Sequence, residues 1–234
     1  MEPVPEPGLR TVRSYVRREG RITRAQHRAI TDLLPRYQVP LTGELTSATI
    51  FGESLPLFLE IGSGNGETTL SFAAAHPGFR YVAVEVHRPG LGHLLNQLSA
   101  QALLNVAVSD TDIQPLLSRF GAASLAGAFI FFPDPWPKLR QQKRRLLQAP
   151  FLAALQRCLQ RHARLYLATD DALYAAHIQE VLAATHDWFN LAGGTQTSAR
   201  YKPRPLTRFE RRGIAAGHEV FDFVLTPNRG LTDG

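Results

Sequence analysis

An α/β fold, a largely parallel sheet with helices on both faces, is predicted by three observations. Short apolar runs alternate with helical stretches from Leu57 onward, the pattern of strand–helix–strand units. A glycine-rich turn, Gly62-Ser-Gly-Asn-Gly66, directly follows the first run and opens a helix. An acid, Glu85, closes the second run.

Residues 1–21 form a basic, flexible arm: a Pro-rich start precedes Arg10, Arg13, Arg17, Arg18 and Arg21 with few large apolar residues between them, too little to offset ordering entropy. Thr23-Arg-Ala-Gln26 reads as a capping box opening a helix to about Leu34, where Pro35 ends it. Leu57–Ile61 is the first strand, Glu67–Ala75 a helix, and Tyr81–Val86 a second strand rich in β-branched residues. A helix from Pro89 to about Ala102, a strand at Asn105–Ser109, and strands at Phe129–Phe132 and Arg164–Ala168 follow. Helical periodicity marks Ala149–Leu159 and Ala172–Ala184, and His218–Leu225 alternates as a late strand. Residues 22–228 are thus expected to form one domain, with a tail at 229–234.

Length and composition agree. The 234 residues are 44% hydrophobic and 20% charged, which excludes collagen, coiled coil and a wholly disordered chain. Cys158 is the only cysteine, so neither an intrachain disulfide nor a Cys-rich zinc site is available. The eight histidines lack H-E-x-x-H spacing, and no metal site is expected. His87, His177 and His218 read as hydrogen-bonding scaffold. The longest apolar run, Leu125–Phe132, is too short to span a bilayer. The opening MEPVPEPGLR has no apolar core of a secretory signal. A soluble, cytoplasmic protein without membrane partners is expected.

Basic residues number 26 against 20 acidic, a net charge of +6, which favours a polyanionic partner. Only three of the 26 are lysine; arginine binds phosphate bidentately and stacks on bases. The charge is clustered. Lys138, Arg140, Lys143, Arg144 and Arg145 lie within eight residues without an acid. A second cluster comprises Arg200, Lys202, Arg204, Arg208, Arg211 and Arg212, interleaved with Tyr201 and Phe209. Nucleic acid is the partner these patches suggest.

The glycine turn offers close backbone approach to a ligand at a helix start. An acid at the end of the second strand, here Glu85, suits a ribose diol and is shared by NAD and S-adenosylmethionine sites. Glu60, just before the glycines, tips the balance between them: it would repel a pyrophosphate and not the cationic amino acid end of S-adenosylmethionine. Asp112, beyond the third strand, is placed either to meet an adenine amino group or to cap a helix. Strand four runs into Phe131-Phe132-Pro133-Asp134-Pro135-Trp136-Pro137, where two prolines aim one carboxylate and Trp136 offers a stacking face for a base. The alternative for that loop is a structural turn with a buried Trp.

These stretches together resemble the bacterial tRNA (guanine-N7-)-methyltransferases. The likeness is carried by LEIGSGNG (59–66), EVHRPGLG (85–92), FFPDPWPKLRQQKRR (131–145), Ala168-Thr-Asp170 with Tyr174 and His177, and PLTRFERRGIAAGHEVFD (205–222). The early VRREGRITRAQHRAI is similar to the family's opening. The resemblance implies a class I S-adenosylmethionine-dependent methyltransferase, Rossmann-like, with a seven-stranded sheet whose last strand is antiparallel. It implies methyl transfer from S-adenosyl-L-methionine to N7 of the variable-loop guanine of tRNA, with monomer and homodimer both open. By position it implies Asp134 as catalytic residue and Glu60, Gly62, Gly64, Glu85, Asp112 and Asp134 as cofactor contacts. Lys138, Asp170, Thr207, Arg208, Phe209 and Glu210 would contact substrate, and Arg140, Lys143, Arg144 and Arg145 the RNA. Three positions depart from the family pattern: Gln141 stands for a frequent histidine, Arg208 for a frequent lysine and Asp171 for the usual tryptophan. Rival readings are an exocyclic-amine methyltransferase, a nicotinamide oxidoreductase and an RNA-binding module without turnover.

Overall fold

The computed structural model describes residues 21–228; the basic arm, except for Arg21, and the tail lie outside the described residues. Seven strands form one sheet in the order β3-β2-β1-β4-β5-β7-β6. They are β1 (Leu57–Ile61), β2 (Arg80–Val84), β3 (Val106–Ser109), β4 (Leu125–Phe131), β5 (Leu159–Thr169), β6 (Trp188–Asn190) and β7 (Phe221–Pro227). Pairs among β1 to β5 are parallel, with Leu59 opposite Val82 on one side and Ala128 on the other. β7 runs antiparallel to both neighbours, β5 and β6. The expected sheet with its last strand reversed is what the chain builds.

Alternation along each strand feeds two separate cores. Val82 and Val84 of β2 face one layer, where α5 (Ile113–Leu117), α6 (Ala149–Cys158) and α7 (Ala172–Ala184) pack. Tyr81 and Ala83 face the other, against α1 (Arg24–Tyr37), α3 (Glu67–Ala75) and α4 (Arg88–Ala100). Within that second layer α1 crosses α4 closely. A Cβ on Gly92 would lie 2.7 Å from the Gln26 carbonyl oxygen, so only glycine permits the approach. Gln26 also closes the Thr23 capping box and donates from Nε2 to the Pro89 carbonyl at 3.1 Å.

Several boundaries differ from the sequence reading. α1 continues past Pro35 to Tyr37. The proline forfeits one late helical bond, while buried Tyr37 anchors the last turn in the second core. β4 and β5 start earlier than their apolar centres, at Leu125 and Leu159. Short elements that the periodicity did not reveal are α2 (Ser47–Phe51), α5, the turn of 3-10 helix Leu139–Arg144, β6 and α8 (Arg208–Ala215). No helix among the described residues is long and apolar enough to cross a membrane.

Candidate active site

The strand order reverses between β1 and β4, and ligands of open α/β sheets bind at such a point, outside the strands' carboxyl ends. Gly62 and Gly64 adopt φ of +76° and +56°, a region other residues rarely occupy. Their turn is tied to β2 by Gly62 N and Ser63 N, both donating to the Val84 carbonyl. A Cβ at either glycine would meet open space, so the backbone lies bare toward the cavity. Gly90 supports it from behind: a Cβ there would come within 2.7 Å of the Gly64 carbonyl oxygen.

Two carboxylates are buried around this turn. Glu85 Oε2 accepts from Gly64 N at 2.5 Å and Oε1 from His87 N at 2.6 Å. Burial nevertheless raises its pKa, with the charge of Asp134 adding to the shift. Glu60 is 6% exposed and accepts from the Thr69 hydroxyl. Burial pushes its pKa from 4.5 up to about 7, against the hydrogen bonds of Thr69 and Thr68 and aided by Glu85. Neither carboxylate is ion-paired among the described residues. A buried acid without a cation is a costly arrangement that a cationic ligand would relieve. Nearby Ser63 Oγ is also buried and has no hydrogen-bond partner among the described residues.

Two adjoining cavities open here. One, of about 460 Å³, is lined by Gly62, Gly64, Glu85, Asp112, Asp134 and their neighbours. The other, of about 320 Å³, is lined by Glu60, Ser63, Thr207, Arg208, Phe209 and Arg212 among others. Phe132 and Phe209 belong to both walls, their ring centroids 5.1 Å apart. Asp112 is both a cavity residue and the N-cap of α5, accepting from Gln114 N at 3.1 Å.

The Pro-rich loop is held under backbone strain. Phe132 and Trp136 have φ of +54° and +48°, a conformation that persists only where its surroundings enforce it. Phe132 N donates to the Ala168 carbonyl at 2.7 Å. Trp136 is 7% exposed with the Arg144 guanidinium 5.1 Å over its ring, so it packs the loop and does not offer a face to a base. Asp134 between them is exposed toward the cavity.

The basic run divides. Lys138, Arg140 and Lys143 are exposed. Arg145, expected at the RNA surface, is instead 4% exposed. Its Nε donates to the Pro135 carbonyl at 2.9 Å, and its Cζ lies 5.2 Å from the Tyr174 ring centroid. His177 holds the adjacent Leu147 carbonyl at 3.0 Å, as scaffold.

The second cluster is likewise thinned. Glu210, expected to touch substrate, is 1% exposed and bridges Arg200 and Arg204 at 2.9 and 2.8 Å. Burial opposes its ionisation, but the two arginines outweigh that and keep its pKa below 4.5. Arg204 is also buried, bonded to Asp222 at 2.6 Å and stacked over Phe131 and Phe132. Thr207 caps α8 by accepting from Glu210 N, and Arg208 N donates to Glu67 at 2.8 Å. Asp170 lines neither cavity; it meets His218 Nδ1 at 3.2 Å beside α8. Asp171 caps α7 by accepting from Tyr174 N.

With this geometry in place, the chain can be set beside known proteins. Residues 54–223 match the family model described as "Putative methyltransferase". A tRNA (guanine-N(7)-)-methyltransferase of Nitrosospira multiformis is 44% identical over 94% of this chain and 96% of its own. One from Alkalilimnicola ehrlichii is 46% identical over 92% of each. The chain belongs to the tRNA (guanine-N7-)-methyltransferase family. Among solved structures, the antibiotic-resistance methyltransferase Kmr superposes with a TM-score of 0.55 at 17% identity, over 82% of this chain and 98% of its own. An rRNA methylase from Streptococcus thermophilus gives 0.50 at 15%, over 89% and 99%. At such identities the likeness is one of fold, that of methyltransferases.

In this methyltransferase, then, two arginines that read as surface charge, Arg145 and Arg204, are internal braces of the loop and helix that frame the cavities. No signal in the sequence separates them from their exposed neighbours; their partners Pro135, Asp222 and Phe131 are contacts of the fold.

Proposed function

We propose that the enzyme transfers a methyl group from S-adenosyl-L-methionine to N7 of the variable-loop guanine of tRNA. One observation carries this reading: among the described residues the larger cavity presents three acids and no lysine or arginine, Glu85, Asp112 and Asp134 around the glycine turn, while cations stand outside it at Lys138, Arg140 and Lys143. An acidic interior suits a cationic donor, and a basic exterior suits phosphates.

The residues present fit the donor. Glu85 would accept hydrogen bonds from the ribose hydroxyls and Asp112 from the adenine amino group. The open space over the side-chain-free Gly62 and Gly64, and a Ser63 Oγ without a hydrogen-bond partner among the described residues, leave room for its amino acid end near Glu60. When bound, the donor supplies an activated methyl on a sulfonium centre.

The remaining work falls to the chain. Guanine N7 carries a lone pair and no proton, so no general base is needed to expose it. Asp134 accepts hydrogen bonds from the guanine N–H edge and stabilises the positive charge that grows on the purine. A carboxylate placed where charge develops is an electrostatic contribution to rate. Phe132 and Phe209, in contact with each other, wall both cavities and orient the base from one side, and Thr207 and Arg208 border the smaller one on the substrate side. Lys138, Arg140, Lys143 and Arg144 receive backbone phosphates.

The deciding experiment incubates the protein with unmodified tRNA and labelled S-adenosylmethionine, followed by nucleoside analysis. N7-methylguanosine mapped to the variable loop is the expected product. Label on an exocyclic amine would overturn the substrate reading and leave the donor intact.

A further inference from the structure

A third cavity, an open groove of about 470 Å³, lies over β5 and β7 and shares no lining residue with the two reaction cavities. Arg164 and Tyr166, two apart on β5, present the same face, and Val224 of β7 completes the sheet side. The opposite wall is the segment 196–202, fixed along β7 where Ser198 N donates to the Asp222 carbonyl at 2.7 Å. Tyr201 reaches back onto Tyr166, ring centroids 4.0 Å apart.

The groove's charge is one-sided. Among the described residues its lining includes Arg164, Arg200 and Lys202 and no carboxylate. Arg200 is committed to Glu210. Arg164 and Lys202 are exposed and form no ion pair among the described residues. The chain leaving Lys202 passes through buried Arg204 into α8, where Arg208 and Arg212 line the smaller reaction cavity. This segment, anchored at Arg204, therefore connects the groove to the cavity proposed to receive the base.

We infer that this groove is a second docking strip for the tRNA backbone, in which Arg164 and Lys202 each neutralise a phosphate while the reaction cavities hold the target guanine. The inference rests on the tRNA reading above. Its chemistry is that of phosphate contacts, which position a nucleic acid without reading its sequence. Arg164 is the informative member: it lies in mid-strand, far in sequence from either basic cluster.

The test compares the full-length protein with the Arg164→Ala/Lys202→Ala double variant, measuring unmodified tRNA binding by anisotropy across a salt series. Both side chains are exposed, so the double variant should fold; its S-adenosylmethionine affinity and melting temperature check this. Each lost phosphate contact removes about 0.7–0.9 from the slope of log K against log salt. The expected result is a several-fold weaker complex with a slope shallower by about 1.5, and a charge-keeping Arg164→Lys/Lys202→Arg variant with the wild-type slope. An unchanged slope in the alanine variant, with wild-type protein still methylating tRNA, would overturn the groove alone. Wild-type protein that neither binds nor methylates tRNA would overturn the reading beneath it and the groove with it.

Discussion

Three carboxylates near the glycine turn have different surroundings, and the tasks proposed for them follow from that. Glu60 and Glu85 are buried and held by Thr69, Gly64 and His87; Asp134 is exposed on a strained loop. A buried acid suits a permanent ligand contact, whereas an exposed acid that meets the base only in the complex suits the reaction step. Asp134→Asn keeps the side chain's size and hydrogen-bonding reach but removes its charge. It is expected to lower kcat about 100-fold, the scale of a single preorganised electrostatic group, with tRNA affinity little altered. Single-turnover kinetics beside a binding titration check this; a loss confined to affinity would move Asp134 from catalysis to binding. Arg144 offers a second contrast. Its stacking on Trp136 ties to the loop a charge proposed to contact RNA, so Arg144→Ala should weaken tRNA binding and shallow its salt dependence by about 1. An unaltered salt slope would leave Arg144 only a packing role.

At the scale of elements, the Pro-rich loop is braced by a side chain that resembles surface charge. Arg145 spans from the Pro135 carbonyl to the Leu173 carbonyl at 2.9 and 3.5 Å, linking the loop after β4 to the start of α7. Arg145→Lys preserves charge but cannot bridge two carbonyls at that geometry. It should cost about 1–3 kcal/mol in denaturant unfolding, the penalty for stranding buried polar groups, while the same swap at exposed Arg140 stays within about 0.5 kcal/mol. Equal stabilities would return Arg145 to the RNA surface. This brace marks where sequence reading stops. The glycine turn, Glu60, Glu85 and the parallel strands were legible because they are local: apolar runs, positive-φ glycines and acids at strand ends need no distant partner. α8 was not, since its sequence RFERRGIA buries only Glu210 and carries no apolar stripe. Three-residue β6 is too short to show a period. Burial of Arg145, Arg204 and Glu210 depends on how the loops fold back on themselves and onto α7 and β7, and Pro35 is outvoted by the packing of Tyr37.

Across the whole molecule, strand order places β1 beside β4, so Glu60 is buried at the sheet's centre with Thr68, Thr69 and Glu85 around it. The fold bears a cost for this in the absence of a cation. Glu60 titrates at about 7 when folded against an ordinary 4.5. Between those values the folded chain binds more protons than the unfolded one, so stability falls as pH rises, and the full deficit is present above about 7. Glu85 shifts in the same direction. Glu210 shifts oppositely, below 4.5, so it stays ionised throughout this window and contributes a constant. His177, lowered from 6.5 by burial, lines neither reaction cavity and cancels when protein with and without donor is compared. A cation seated near Glu60 favours its ionised form and recovers the deficit. The thermal shift given by saturating S-adenosylmethionine should therefore be larger at about pH 8 than at about pH 5.5. Glu60→Gln should raise the ligand-free melting temperature at the higher pH and flatten the pH dependence of the shift. A shift that is uniform with pH in the wild type would mean that Glu60 does not face the donor's charge, which would then be met by the acids of the larger cavity, Glu85, Asp112 and Asp134.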